Sequence, residues 1–247
     1  MGNTFENYWK GKVAIVTGAT GEIGQVLCKR LADYGIRLSI CGRVEETLEE
    51  TAQMLRESGT EVITLVGNLE EVDFLDQVID FTVDSYGQID LIINNAGMAH
   101  KSPIDDVTPE LYDSIMNVNV RAPYFLVQKA LPYLRLSDVA TVINISSVVA
   151  HRAYKNQSVF TISKHALLGL SKALAVENQA HGLRVHIISP GAVYTDLTSL
   201  LRPDLAPKDL ITPEDMADVV SFYLEHRKAS FVIDEVQMHR LGKEPFL

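Results

Sequence analysis

The sequence predicts a doubly wound α/β fold, a parallel seven-stranded sheet with helices on both faces. Three observations predict it. Apolar runs of strand length alternate with segments of helical period from end to end, the pattern of a parallel sheet buried on both sides. A glycine-rich turn follows the first run where a helix begins, as in sheets that bind dinucleotides at their strand ends. The size, 247 residues with 47% apolar and 22% charged, suits one large α/β domain, so residues 1–247 are taken as a single unit without repeat or linker.

The elements follow in order. Val13 to Thr17 (VAIVT) is short, apolar and rich in β-branched residues, hence a first strand. The turn after it leads into a helix near Ile23 to Tyr34. Arg37 to Cys41 and Val62 to Val66 read as the second and third strands, each followed by a segment of helical period, Glu45 to Ser58 and Val72 to Tyr86. A fourth strand at Ile89 to Ile93 precedes one long helix, Pro109 to Leu134. Thr141 to Ser146 and Arg184 to Ser189 are the fifth and sixth strands, separated by a helix at Ser158 to His181. Thr212-Pro213 starts the last helix, Pro213 to His226, since threonine caps and proline loses nothing at the first helical position. Phe231 to Met238 closes the sheet as a seventh strand.

Composition excludes several classes of function. A formal charge of −10 argues against a nucleic-acid backbone or an anionic membrane surface as the main partner. Cys28 and Cys41 lie in apolar surroundings and read as buried free thiols, in keeping with a reducing cytoplasmic compartment. No window approaches the roughly 20 apolar residues of a membrane helix. The N-terminus has no leader pattern, and Glu6 stands where an acylation signal starting at Gly2 requires Ser or Thr. No His, Cys or carboxylate cluster has metal-ligand spacing, so no metal is expected.

TGATGEIG, Thr17 to Gly24, is the expected phosphate-binding turn. Glycine lets the backbone approach a pyrophosphate, and free amides at a helix start attract its charge. The residues of the turn are Gly18, Thr20, Gly21, Ile23 and Gly24. Glu22 among them places a carboxylate near that pyrophosphate, at a cost of about 1 kcal/mol unless the side chain turns away. The second strand ends Cys41-Gly42-Arg43. Gly42 offers no carboxylate to a ribose, whereas Arg43 suits a 2′-phosphate, so NADP(H) is the expected cofactor.

NNAG at Asn94 to Gly97, Asn119 in NVNVRAP, Ser147 in NISS, Lys164 in FTISK and PGAVYT at Pro190 to Thr195 occur in the order found in the short-chain dehydrogenase/reductase family, single-domain type. The resemblance spans residues about 12 to 226 and implies a Rossmann fold and a ketoreductase-type oxidoreductase acting on a small carbonyl or alcohol. It also implies that Asn95, Ala96 and Gly97 line the cofactor, that Asn68 and Leu69 meet its adenine end, and that Lys164 bonds its ribose. Pro190, Gly191, Val193 and Thr195 would face the nicotinamide. The family's catalytic set maps to Asn119, Ser147, position 160 and Lys164, and its helix pairing implies a homodimer or homotetramer. The glycine spacing departs from the family, Glu22 standing for the middle glycine, and so does the ending SFVIDEVQMHR.

The main departure is Phe160. Phe160 and Lys164 are four apart and project from one helix face, but the family has tyrosine where this chain has phenylalanine. A benzene ring keeps the pocket's shape and donates no proton. Loss of general acid catalysis removes about a hundred to ten thousandfold in rate. Three explanations stand in order: a tyrosine deliberately replaced to trap a complex, a natural member recruiting Tyr154 or His151 as donor, and a catalytically silent NADP(H)-binding sensor or scaffold. Residues 195–212 are expected to be an irregular substrate loop, and His100, Lys101, His151 and Arg152 are loop charges that read first as solvated side chains, with contact to an anionic substrate as the alternative. Sugar, steroid, keto acid and acyl thioester all remain open as substrates.

Overall fold

The computed structural model describes residues 7–243; the Met1 to Glu6 segment, read above as neither leader nor anchor, lies outside them. Seven strands form one parallel sheet in the order β3-β2-β1-β4-β5-β6-β7. They are β1 Val13–Thr17, β2 Arg37–Gly42, β3 Val62–Val66, β4 Leu91–Asn94, β5 Thr141–Ile145, β6 Arg184–Pro190 and β7 Glu235–Met238. The helices are α1 Glu22–Asp33, α2 Glu45–Glu57, α3 Val72–Tyr86, α4 Pro109–Met116, α5 Ala122–Leu134, α6 Ser158–Asn178, α7 Asp196–Leu201 and α8 Pro213–Glu225. This is the doubly wound arrangement, with the strand order reversing between β1 and β4.

Every residue of β1, β4 and β5 is buried because both faces of the sheet are covered. Alternation divides them between two cores. Ala14 and Val16 join Leu27, Leu31, Leu48, Met216 and Val220 under α1, α2 and α8, whereas Ile15 joins Phe74, Val78, Leu126 and Leu174 under α3, α5 and α6. Cys28 and Cys41 are free and buried, and burial pushes the Cys41 thiol up to about 12. Thr212 caps α8 with the reciprocal Asp215 bonds of a capping box, Pro213 following at the first position.

Four expectations need correction. The single helix read at 109–134 is interrupted by a π-helical turn, Asn117–Arg121. Pro123 lies one turn beyond Asn119 and has no N–H to give that residue's carbonyl, which loosens the helix there. The seventh strand begins at Glu235, not Phe231, because carbonyls before it are taken by side chains: Phe231 O accepts from Arg184 Nη1 at 3.3 Å and Ile233 O from His186 Nδ1 at 2.8 Å. Residues 195–212 contain α7 and a 3₁₀ turn at Pro207–Asp209, the first capped by Thr195 Oγ1, which accepts from Thr198 N at 3.2 Å. Finally, Ser158–His181 is long and apolar enough, by length and composition, to cross a membrane. In the fold it carries buried Ser163, Lys164, Ser171 and Asn178 on the face packed inward.

Candidate active site

The strand ends at the β1/β4 switch open a crevice, and polar side chains fix its walls. Gly18 has φ +63°, and a Cβ there would come within 2.8 Å of Ala96 Cα, so glycine alone lets the turn lie against NNAG. Thr17 Oγ1 accepts from the amides of Asn95 and Ala96 at 3.1 Å each. Asn95 Nδ2 returns bonds to the carbonyls of Thr17 and Gly18 at 3.1 and 2.9 Å. Gly24 packs still closer, since a Cβ would sit 2.2 Å from Gly18 O. No side chain caps α1 behind Gly21, which leaves its first-turn amides for an anion.

A cleft of about 300 Å³ follows this turn, lined by the predicted Gly18, Thr20, Gly21, Ile23, Gly24, Arg43, Asn68, Leu69, Asn95, Ala96, Gly97 and Thr195. An uncapped helix start at one end and Arg43 at the other form a donor set suited to a dinucleotide carrying a further phosphate. Asn68 Oδ1 already accepts from Glu70 N at 3.1 Å, which leaves one lone pair for another donor. Glu22 lines the cleft as well, and its Oε1 accepts from Asp196 N at 2.7 Å, at the start of α7. A carboxylate at that position is favourable to the short helix.

Behind the cleft lies the second predicted set. Asn94 Nδ2 donates to Asn144 Oδ1 and Asn144 Nδ2 to Ser171 Oγ, both at 2.8 Å, a polar chain joining β4, β5 and α6. It holds α6 in place, so that Lys164 is buried with Nζ donating to Ile145 O at 2.9 Å. Burial lowers the Lys164 pKa from 10.5 to about 8. Asn119 is fully buried in the π turn; its Oδ1 accepts from Met98 N at 2.7 Å, and its Nδ2 donates to Met98 O at 2.8 Å and Ser163 Oγ at 2.9 Å. A Cβ on Gly97 would lie 3.6 Å from both Asn119 Oδ1 and Lys164 Nζ.

Ser147 and Phe160 line a second, larger cavity of about 760 Å³, together with Pro190, Gly191, Val193 and Thr195. Ser147 Oγ donates to Pro190 O and accepts from Val149 N, both at a long 3.4 Å that leaves it available to a better partner. The Phe160 ring centroid is 5.8 Å from Lys164 Nζ. Cleft and cavity share Ile23, Thr195 and Leu197, so a molecule in one abuts a molecule in the other.

Of the four loop charges, read first as solvated, Lys101 lines this cavity, whereas His100, His151 and Arg152 line neither space. His151 Nε2 instead pairs with Glu235 Oε1 at 2.5 Å. Tyr154 does line the cavity, and its hydroxyl accepts from Lys243 Nζ at 3.0 Å. Sequence reasoning missed Thr17, Asn144, Ser163 and Ser171, which hold the named residues, and the tail residues His239, Arg240 and Lys243, which line the cavity. Thr17, Asn144 and Ser163 lie inside the motifs themselves, which is their signal; nothing local signals Ser171 or the second group.

A profile of the short chain dehydrogenase family matches residues 12–206. The dehydrogenase/reductase SDR family member 4 of Sus scrofa is 31% identical over 237 residues, covering 92% of this chain and 85% of its own. A crystal structure of a metagenomic short-chain oxidoreductase in complex with NADP superposes with TM-score 0.83 at 28% identity, over 95% of this chain and 99% of its own. A Burkholderia cenocepacia J2315 short chain dehydrogenase in complex with NADP gives TM-score 0.84 at 26% identity, over 93% and 97%.

Proposed function

The chain belongs to the short-chain dehydrogenase family, and on that premise we propose an NADP(H)-dependent oxidoreductase that interconverts a carbonyl and an alcohol, with turnover limited by Phe160. One observation carries this reading: the cleft suited to a dinucleotide and the cavity holding Ser147 and Phe160 join at Ile23, Thr195 and Leu197, with Lys164 and Asn119 behind the wall. Arg43 beside the cleft, without an acidic neighbour at Gly42, supports NADP(H) over NAD(H). The NADP complexes of the two structural relatives agree with that choice.

The cofactor supplies the hydride that reduces the carbonyl carbon. The α1 amides and Arg43 would hold its phosphates, and Gly97, with no side chain, would leave room for it beside Lys164. Ser147 Oγ, held by two long bonds, reorients to donate to the carbonyl oxygen. Lys164 adds positive charge behind the site, and Asn119 fixes the Met98 backbone at the wall. Phe160 preserves the ring-shaped boundary and delivers no proton, so the product oxygen must draw its proton from solvent, which is slower.

The Lys243–Tyr154 hydrogen bond favours a second reading, in which Tyr154 is the acid. NADPH oxidation against a panel of ketones and aldehydes, in the Phe160 protein and in its Tyr154→Phe variant, separates the two. Slow turnover unchanged by Tyr154→Phe supports the first reading, and fast turnover abolished by it supports the second. NADPH binding with no turnover in any form, Phe160→Tyr included, would instead make the chain a cofactor sensor. Titration with NADPH and NADH tests the cofactor choice: NADPH is expected to bind at least tenfold tighter, and tighter NADH would refute it.

A further inference from the structure

We propose that the cavity beside Ser147 selects an amphipathic carbonyl compound whose remote end is anionic, a carboxylate or a phosphate. This rests on the oxidoreductase reading and adds the substrate class to it. The chain carries 32 acidic residues against 22 lysines and arginines, yet the cavity is lined by Lys101, Lys155, Arg202, Arg240, Lys243 and His239 and by no aspartate or glutamate. These residues come from four separate parts of the chain: the segment after β4, the segment after β5, the end of α7 and the tail after β7. Four independent segments converging with one sign of charge, in a protein of the opposite sign, make a focused positive potential rather than a solvated face.

The partners of these groups leave most of that charge uncompensated. Arg202 is neutralised by a two-bond pair with Asp204 at 2.8 and 2.7 Å, a carboxylate whose charge also faces Lys101. Lys101 Nζ donates to the Leu201 carbonyl at 3.2 Å and Lys243 Nζ to the Tyr154 hydroxyl, both neutral acceptors. Among the described residues, the Lys155 and Arg240 side chains have no hydrogen-bond or ion-pair partner. The nearby carboxylate of Glu235 is taken by Ser189 Oγ and His151 Nε2. His239 titrates below its usual range through burial and through repulsion by Arg152 and Lys243, in keeping with a positive field. Near Ser147 and Phe160 the lining includes the apolar Ile145, Val148, Val149 and Leu197, interspersed with the uncharged Ser146, Asn156 and Gln157. An apolar stretch beside the reacting end and cations at the mouth match a ligand with an apolar body and an anionic head, and about 760 Å³ admits one of medium size.

The experiment uses 9-oxodecanoate, its methyl ester and the phosphate monoester of 10-hydroxydecan-2-one, each titrated calorimetrically into the full-length protein saturated with NADP⁺. The two anions are expected to bind at least tenfold tighter than the ester at 50 mM salt, the gap narrowing at 500 mM. Whichever anion binds more tightly identifies the head group. In Lys155→Gln/Arg240→Gln the gap should fall below threefold while NADP⁺ affinity holds. Equal binding of acid and ester, no binding of either, or a gap that survives the double variant would overturn the proposal. Reduction of the same compounds by Phe160→Tyr keeps the two readings apart. Rapid reduction without acid preference sinks the anion site alone, and selective acid binding without reduction sinks the oxidoreductase reading alone.

Discussion

The crevice at the ends of β1 and β4 and the cavity at the ends of β5 to β7 adjoin each other and are built by opposite means. Backbone contact makes the first: Gly18 touches Ala96, Gly24 touches Gly18, and Thr17 and Asn95 tie the two strand ends together. Side chains make the second, brought from strand ends, from α6 and α7, and from the segments after β4, β5 and β7. A site made by backbone tolerates almost no change in its residues and is therefore visible as a motif. A site made by converging side chains keeps its shape through many sequences and shows no motif at all.

If that contrast is right, substitutions in the crevice should cost far more than substitutions around the cavity. The largest effect is expected from Gly24→Ala, whose new methyl must displace Gly18 O from 2.2 Å. We expect NADPH affinity to fall by more than 100-fold, with about 3 kcal/mol lost from stability by denaturant titration. A change under fivefold would break the comparison. A similar magnitude attaches to the buried Lys164 charge. Its folded pKa of about 8 lies below the unfolded 10.5, so the unfolded state binds more protons between those values and stability rises with pH across that window. The rise is about 3 kcal/mol on the scale of 1.36 kcal/mol per pKa unit, read as the difference between the unsubstituted protein and Lys164→Met from pH 7.5 to 10.5.

Asn119→Ala comes next, since it removes three bonds and strands the Met98 amide. About 2 kcal/mol of stability should be lost, whereas Asn119→Asp should lose less at low pH, where the neutral acid still bonds. Glu22→Gln tests the seam between the two regions. Removing the carboxylate should tighten NADPH binding about fivefold, for roughly 1 kcal/mol of relieved repulsion, and the amide oxygen still accepts from Asp196 N. Smallest of all is Arg202→Ala on the cavity side, an exposed pair whose loss should change stability by about 0.5 kcal/mol or less.

The same contrast explains how far the sequence could be read. β1, β3 and α3 have the bounds expected of them, because an unbroken run of apolar and β-branched residues or a helical period marks their ends. The π turn at Asn117–Arg121 escaped, since one residue inserted into a long apolar helix leaves its period almost unchanged. Phe231 to Ile233 looked like strand and is not, because Arg184 and His186, distant in sequence, capture its carbonyls. α7 was legible in principle: Thr195 before Asp196 is an N-terminal signal that the prolines nearby concealed. Lys101 was the single cavity cation read in advance, and Arg240 and Lys243 had no local sign, since their meaning arises only where the tail folds back over the cavity.

The most direct measurement is the single-turnover rate of carbonyl reduction by NADPH-loaded Phe160→Tyr beside the Phe160 protein, with both shown to bind NADPH equally. Restoring a phenol beside Lys164 should raise the rate by about a hundred to ten thousandfold. An unchanged rate across ketones and aldehydes would mean that no proton is missing at position 160 and that this cavity does not reduce a carbonyl.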